Sequence, residues 1–232
     1  MKTLNRYYPV NLDIHDRDCL VVGGGGVGAR KVEGLKGCGG RVTVVSPRIS
    51  DRLRGLVETG GVQWRNREYR AGDLDGMFLV IGATDDKALN RRIHADASER
   101  NMLCNIADRP EVCNFILPAV VRRGDLMIAV STSGRSPAFA KKLRKDLETW
   151  FGPEYAAFLD LMGAVRAKLL KEEHAPEAHK PLFEALIERD LLGLIKAGDA
   201  AAIDEELEAV LGPGFRYADL MVTDKALQGA AP

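Results

Sequence analysis

Residues 23–28 read Gly-Gly-Gly-Gly-Val-Gly, and Gly23, Gly25 and Gly28 stand at the spacing G-x-G-x-x-G. Glycines so spaced let a chain turn tightly, bring its backbone against a pyrophosphate and pack a helix closely on a strand. The helix that follows offers bare first-turn amides and the positive end of its dipole to an anion. A plain turn would use the same letters. Here an apolar run at 19–22 precedes the glycines and a helical stretch over 27–38 follows, the context a dinucleotide site requires. Such sites commonly carry an acid at the end of the next strand, about 20 residues on, to hold the ribose of NAD. Val45-Ser46-Pro47-Arg48 stands there instead. Arg48 would suit the 2′-phosphate of NADP, and a solvated loop arginine would look the same. The residues alone leave both readings open.

Three further strings could do chemistry. Gly82-Ala83-Thr84-Asp85-Asp86 ends an apolar run, where backbone groups, Thr84 and Asp85 could line a cofactor or simply cap the next helix. Asn105-Ile106-Ala107-Asp108-Arg109-Pro110 ends another. A carboxylate at Asp108 could take a proton while a hydride leaves to nicotinamide, and an Asp before Pro is also ordinary turn chemistry. Ser131-Thr132-Ser133-Gly134-Arg135-Ser136-Pro137 offers hydroxyls, turn amides and a guanidinium suited to carboxylates, or only a turn and a helix cap. His15, His94, His174 and His179 are scattered, and the four cysteines form no CxxC pair, so no built-in metal site is expected.

The elements that must position these residues alternate. Strands are expected at 19–22, 41–45, 62–64, 77–83 and 102–106, with helices over 27–38 and 87–100. That alternation predicts an α/β fold, a doubly wound parallel sheet with helices on both faces and right-handed connections. Beyond Pro110 the pattern changes. Apolar runs at 115–121 and 126–130, joined by Arg122-Arg123-Gly124-Asp125, read as a hairpin. Ser136-Pro137 then opens a helix with an apolar stripe of Phe139, Leu143, Leu147 and Trp150. From Glu154 the chain is helical in character, with breaks near 175–176, 198–199 and 212–214. The expected division is 1–111, a dinucleotide-binding domain; 112–151, a hairpin-plus-helix region; and 152–232, a helical C-terminal domain.

Composition bounds the partners. The 232 residues carry 33 Lys/Arg and 33 Asp/Glu, which excludes an overall polybasic nucleic-acid binder. The balance is uneven: residues 1–150 hold 25 basic and 18 acidic side chains, net +7, and residues 151–232 the reverse excess, net −7. The front part therefore favours an anionic ligand. The apolar runs are too short to span a bilayer, and the N-terminus lacks the pattern of a signal peptide, so a cytoplasmic protein with reduced thiols is expected.

The string CLVVGGGGVGARKVEGLKGCGGRVTVVSP resembles the start of the siroheme-synthase dehydrogenase family. IGATDD, CNIADRP and NFILPAVVRRGDLMIAVSTSGRSPAFAKKLR resemble it too, in the same order, over about residues 9–151. The resemblance implies a Rossmann domain, a strand-exchanging dimerisation region and a small helical domain. It implies NAD as cofactor despite the missing acid, with Gly26, Val27, Pro47 and Arg48 at cofactor-contacting positions and Asp108 at that of the catalytic aspartate. Thr132 falls where a relative has a phosphorylatable serine. The implied reaction is oxidation of precorrin-2, a tetrapyrrole with eight carboxylates, to sirohydrochlorin. Some members also insert ferrous iron, which would then be a substrate, and at this length no room is expected for the methyltransferase to which some are fused. Asn105, Arg109, Thr132, Ser133 and Arg135 are the candidate substrate contacts, and a homodimer is expected. Two rivals remain at this stage: another Rossmann oxidoreductase acting on a small anionic metabolite, and a non-catalytic NAD-sensing domain.

Overall fold

The computed structural model describes residues 6–107, 109–171 and 176–228. The chain forms two compact units, residues 1–117 and 118–232.

The first unit is built on a five-stranded parallel sheet in the order β3-β2-β1-β4-β5. Its elements are β1 (Asp18–Val22), α1 (Gly26–Lys36), β2 (Arg41–Val45), α2 (Asp51–Glu58), β3 (Gln63–Arg65), β4 (Leu79–Gly82), α3 (Lys87–Glu99) and β5 (Leu103–Ile106). Short 3-10 turns lie at Ala71–Leu74 and Pro110–Val112. The central strands are buried on both sides beyond their first residues, so their sequences are largely apolar, and alternate residues feed opposite cores. Cys19, Val21, Val42, Val44, Leu79 and Ile81 pack with Ala29 and Val32 of α1 and Leu53 of α2. Leu20, Val22, Val45, Val80, Cys104 and Ile106 pack with Ile93 and Ala97 of α3. Each Val, Leu or Ile among them, fully buried, contributes about 1.5–3 kcal/mol by leaving water.

Helix α2 is absent from the sequence reading. Its string DRLRGLVE has no apolar run, and only Leu53 is fully buried; Ser50 starts it by accepting the Leu53 amide at 3.5 Å. The outer edge of β5 is covered by residues 113–115. Asn114 accepts the Cys104 amide at 2.8 Å and donates to the Met102 carbonyl at 2.7 Å, while Asn105 donates to the Phe115 carbonyl at 3.0 Å.

In the second unit β6 (Ala119–Arg123) and β7 (Leu126–Val130) pair antiparallel, with Arg123 opposite Leu126. The expected hairpin is present, but its first strand runs later than 115–121. Pro118 has no amide for a ladder and residue 115 is tied to β5, so Arg122 and Arg123 lie in the strand and only Gly124-Asp125 turns. Helix α4 (Pro137–Trp150) packs on both strands. Arg123 holds its end, donating to the carbonyls of Glu148 at 2.9 Å and Phe151 at 2.7 Å. Helices α5 (Glu154–Lys171), α6 (Pro176–Ile187), α7 (Leu191–Ala197), α8 (Ala200–Leu211) and α9 (Tyr217–Gln228) follow. Leu161, Val165, Leu186, Leu191, Ile203 and Leu207 form their core.

Candidate functional site

The glycines after β1 meet different demands. Gly23 has φ +117, and its amide donates to the Val45 carbonyl at 3.0 Å; a Cβ there would lie 2.4 Å from the Ala83 oxygen. A Cβ at Gly28 would lie 2.2 Å from the Gly23 oxygen, so α1 sits directly against the turn. Gly24, outside the spacing motif, is the tightest: its Cβ would meet the Arg48 oxygen at 2.0 Å. Gly25 and Gly26 open onto free space, with nothing within 4 Å of a Cβ. Gly25 is the cap residue of α1, and the first helical bond runs from Ala29 to its carbonyl at 2.9 Å. The amides of Gly26, Val27 and Gly28 precede that ladder, and the first turn has no acid to answer them.

The β2 exit is folded onto this turn. The Ser50 amide donates to the Gly24 carbonyl at 2.8 Å, and Ser46 Oγ donates to the Arg48 carbonyl at 2.6 Å. Trp64 Nε1 fixes the Ser46 carbonyl at 2.9 Å. A cleft of about 470 Å³ opens beside it, at the C-terminal ends of β1 and β2 and the start of α3. Of the sequence candidates, Gly23, Ser46, Pro47 and Thr84 line it; Arg48 and Asp85 are exposed and do not. Asp86, rather than Asp85, caps α3, accepting the amides of Ala88 at 2.7 Å and Leu89 at 3.1 Å. Thr84 steadies that cap by accepting the Asp86 amide at 3.1 Å.

The far wall was not legible in the sequence. It consists of Glu68, Tyr69, Leu89 and Arg92. Tyr69 is buried, and its hydroxyl donates to Asp96 at 3.0 Å; burial first and the Asp96 carboxylate second push its pKa well up. Arg92 lies over the Tyr69 ring at 5.7 Å, with Nε 3.8 Å from Asp96. Below it, Asp73 is buried and takes ion pairs from Arg65 at 2.9 Å and Arg67 at 2.5 Å. Burial alone would raise the Asp73 carboxyl; hydrogen bonds from Arg67, the Arg70 amide and Arg65 outweigh it and bring the pKa down to about 2.

At the β5 end, Asn105 is buried and spends its amide on the Phe115 carbonyl and the Cys113 sulfur. It does not line the cleft. Arg109 pairs with Glu111, whose carboxyl is lowered by that contact. Asp108 lies outside the described residues. Cys113 is buried among Ile106, Arg109 and Asn105, and burial raises its thiol. Thr132, Ser133 and Arg135 belong to the second unit. Thr132 accepts the Ser136 amide at 3.0 Å, Ser133 has φ +53, and Arg135 is exposed. Among the described residues no group of His, Cys, Asp or Glu is placed to hold a metal ion, and no helix is long and apolar enough to cross a membrane.

Bare amides at a helix start, open space at Gly25 and Gly26, and a cleft leading away from β1 across the β2 exit together fit a dinucleotide. The fold and site define a Rossmann-type NAD(P)-binding protein. A family model for NAD(P)-binding proteins matches residues 10–119, and one for the central part of sirohaem biosynthesis proteins matches residues 123–149. The chain is 36% identical to a siroheme synthase of Thioalkalivibrio sulfidiphilus over 92% of its own length and 44% of that protein. It is 35% identical to one of Pseudomonas paraeruginosa over 97% of its own length and 48% of that protein. It thus spans about half the length of the curated relatives it matches. A solved structure of SirC, a precorrin-2 dehydrogenase, superposes with a TM-score of 0.74 at 26% identity, covering 88% of this chain and 98% of that one. Over nearly its whole length the chain is thus similar to the matched half of siroheme synthases and to a precorrin-2 dehydrogenase.

Proposed function

We propose that this protein oxidises precorrin-2 to sirohydrochlorin with NAD⁺. The observation that carries the reading is the uncapped start of α1 after a glycine turn whose Gly23 lines the cleft, in a fold shared along nearly its whole length with a precorrin-2 dehydrogenase. The amides of Gly26, Val27 and Gly28 hold the pyrophosphate, and the space at Gly25 admits it. Ser46, Pro47 and Thr84 face the adenosine side, with Arg48 and Asp85 beside them. Bound nicotinamide supplies a hydride acceptor. Asp108 receives the proton that the macrocycle gives up as the hydride leaves. Arg109 is the candidate contact for the substrate's carboxylates in the first unit, and Thr132, Ser133 and Arg135 are the candidates in the second; Asn105, with its amide held by the Phe115 carbonyl, is set aside. The net +7 of residues 1–150 supports a polyanionic substrate.

Ferrous iron is a further substrate in this reading, its insertion using the same Asp108 to take pyrrole protons. Two copies pair through residues 112–151; Phe139 and Trp150 support this, being 56% and 70% exposed on α4. The setting is cytoplasmic. The test is to incubate the purified protein with precorrin-2 and NAD⁺ and follow sirohydrochlorin absorbance. Product formed only when both are present supports the reading, and none overturns it.

A further inference from the structure

We infer that Glu68 is the acid that holds the adenosine ribose of the bound dinucleotide and selects NAD over NADP. The inference rests on the dinucleotide reading above. The usual acid at the β2 exit is missing, and Ser46-Pro47-Arg48 takes its place. Strand β3 lies next to β2 in parallel register, with Arg65 level with Val45 and its carbonyl accepting the Ser46 amide at 3.3 Å. Three residues past that point the chain delivers Glu68 to the same rim. Glu68, Ser46, Pro47 and Gly23 all line one cleft.

Two carboxylates stand on that wall, Glu68 and Asp86. Asp86 is committed, since its Oδ1 accepts two amides of α3. The Glu68 carboxylate has no hydrogen bond or ion pair among the described residues, so its oxygens are available to a diol. Its neighbours hold it in place. Arg67 is clamped to the buried Asp73 at 2.5 and 2.8 Å and donates to the Glu68 carbonyl at 2.9 Å. Tyr69, on the other side, is buried and bonded to Asp96 at 3.0 Å. The backbone that carries Glu68 is thus anchored on both sides, which keeps the carboxylate at this rim.

The cations near the cleft do not reverse this preference. Arg92, the cation on the wall, stacks on Tyr69 and has Asp96 at 3.8 Å to answer its charge. Arg48 is exposed and off the wall. A 2′-phosphate would therefore meet Glu68 and Asp86 against one partly neutralised arginine, whereas two ribose hydroxyls would find an acceptor.

The test is calorimetric titration of NAD⁺ and NADP⁺ into the wild type, Glu68→Gln and Glu68→Lys, without substrate. Glu68 is exposed, so neither change threatens the fold, and thermal melts check this. The wild type should prefer NAD⁺. Glu68→Gln should bind NAD⁺ roughly ten- to hundredfold more weakly, the loss of a hydrogen bond to a charged group. Glu68→Lys should shift the ratio further toward NADP⁺. Unchanged NAD⁺ affinity and an unchanged ratio in both variants would overturn the assignment of Glu68 alone. A wild type that prefers NADP⁺ would overturn it as well. A wild type that binds neither dinucleotide would overturn the dinucleotide reading and this assignment with it.

Discussion

Alanine at Gly24 and alanine at Gly25 should give opposite defects, although the positions adjoin. At Gly25 the backbone is extended, φ −77 and ψ −174, and a Cβ meets nothing within 4 Å. Alanine is a poorer helix cap than glycine, but it also lowers the entropy of the unfolded chain by roughly 0.4–1 kcal/mol, so the two effects nearly cancel. The methyl would stand where a pyrophosphate must approach. Gly25→Ala should therefore melt close to the wild type while NAD⁺ affinity falls at least about tenfold, or ~1.4 kcal/mol. At Gly24 a Cβ would lie 2.0 Å from the Arg48 oxygen and 2.9 Å from the Ile49 Cα, backbone atoms that cannot swing aside. Ordinary contact is about 3.5 Å, so the 46–50 segment would have to retreat by more than about 1 Å. That costs roughly 1–3 kcal/mol of overpacking. Losing the Ser50–Gly24 and Ser46–Arg48 hydrogen bonds adds about 1 kcal/mol each. A total near 3–5 kcal/mol is a large share of the 5–15 kcal/mol typical of a folded protein, and lowers Tm by roughly 6–20 °C. Circular-dichroism melts with NAD⁺ titration read both. A wild-type melt for Gly24→Ala, or undisturbed NAD⁺ binding for Gly25→Ala, would refute this account of the loop.

Asp108→Ala and Asp108→Asn should leave NAD⁺ affinity nearly intact and slow single-turnover oxidation of precorrin-2 by about 10²–10⁴; near-normal turnover with weakened NAD⁺ binding would reassign the residue. Asp73 is held at about 2 against 3.8 for the free side chain, so its stabilisation is complete above about pH 4 and lost as pH falls through about 2. The difference corresponds to about 2 kcal/mol, and urea melts should show Asp73→Asn less stable by that amount at pH 7 but with a flatter acid limb between pH 4 and 2. Light scattering at micromolar concentration should give a dimer for the wild type, shifted toward monomer by the double change Phe139→Ser and Trp150→Ser; a wild-type monomer would sink the dimer proposal.

The parallel sheet and the glycine loop were legible because both signals are local. Residues 19–22 are apolar throughout and 42–45 are so apart from Thr43, the pattern of strands buried on both faces, and the glycine spacing sits between a strand and a helix. Helix α2 was not legible, since its fold signal is one cap and one buried leucine rather than an apolar period. The strand over 119–123 was displaced in the reading because residues 113–115 serve β5, a long-range commitment that hydropathy cannot register. The cleft's far wall failed for the same reason. Glu68 and Arg92 are ordinary charged letters until β3 and α3 bring them to the β2 exit. Asn105 shows the converse: it stands in a conspicuous string, yet its amide is used to pin backbone.

The covering of β5 by Asn114 has a consequence for how these molecules behave at high concentration. An open parallel sheet ends in strands whose free amides and carbonyls can recruit a strand from another chain, the first step toward ordered aggregation. At one border the sheet stops with β3, only three residues long, too short a template to propagate. At the other, the Asn114 side chain fills the places of a missing strand, taking up the Cys104 amide and the Met102 carbonyl. One asparagine thus blunts a border that would otherwise invite intermolecular β-pairing, and the sheet ends as a finished surface.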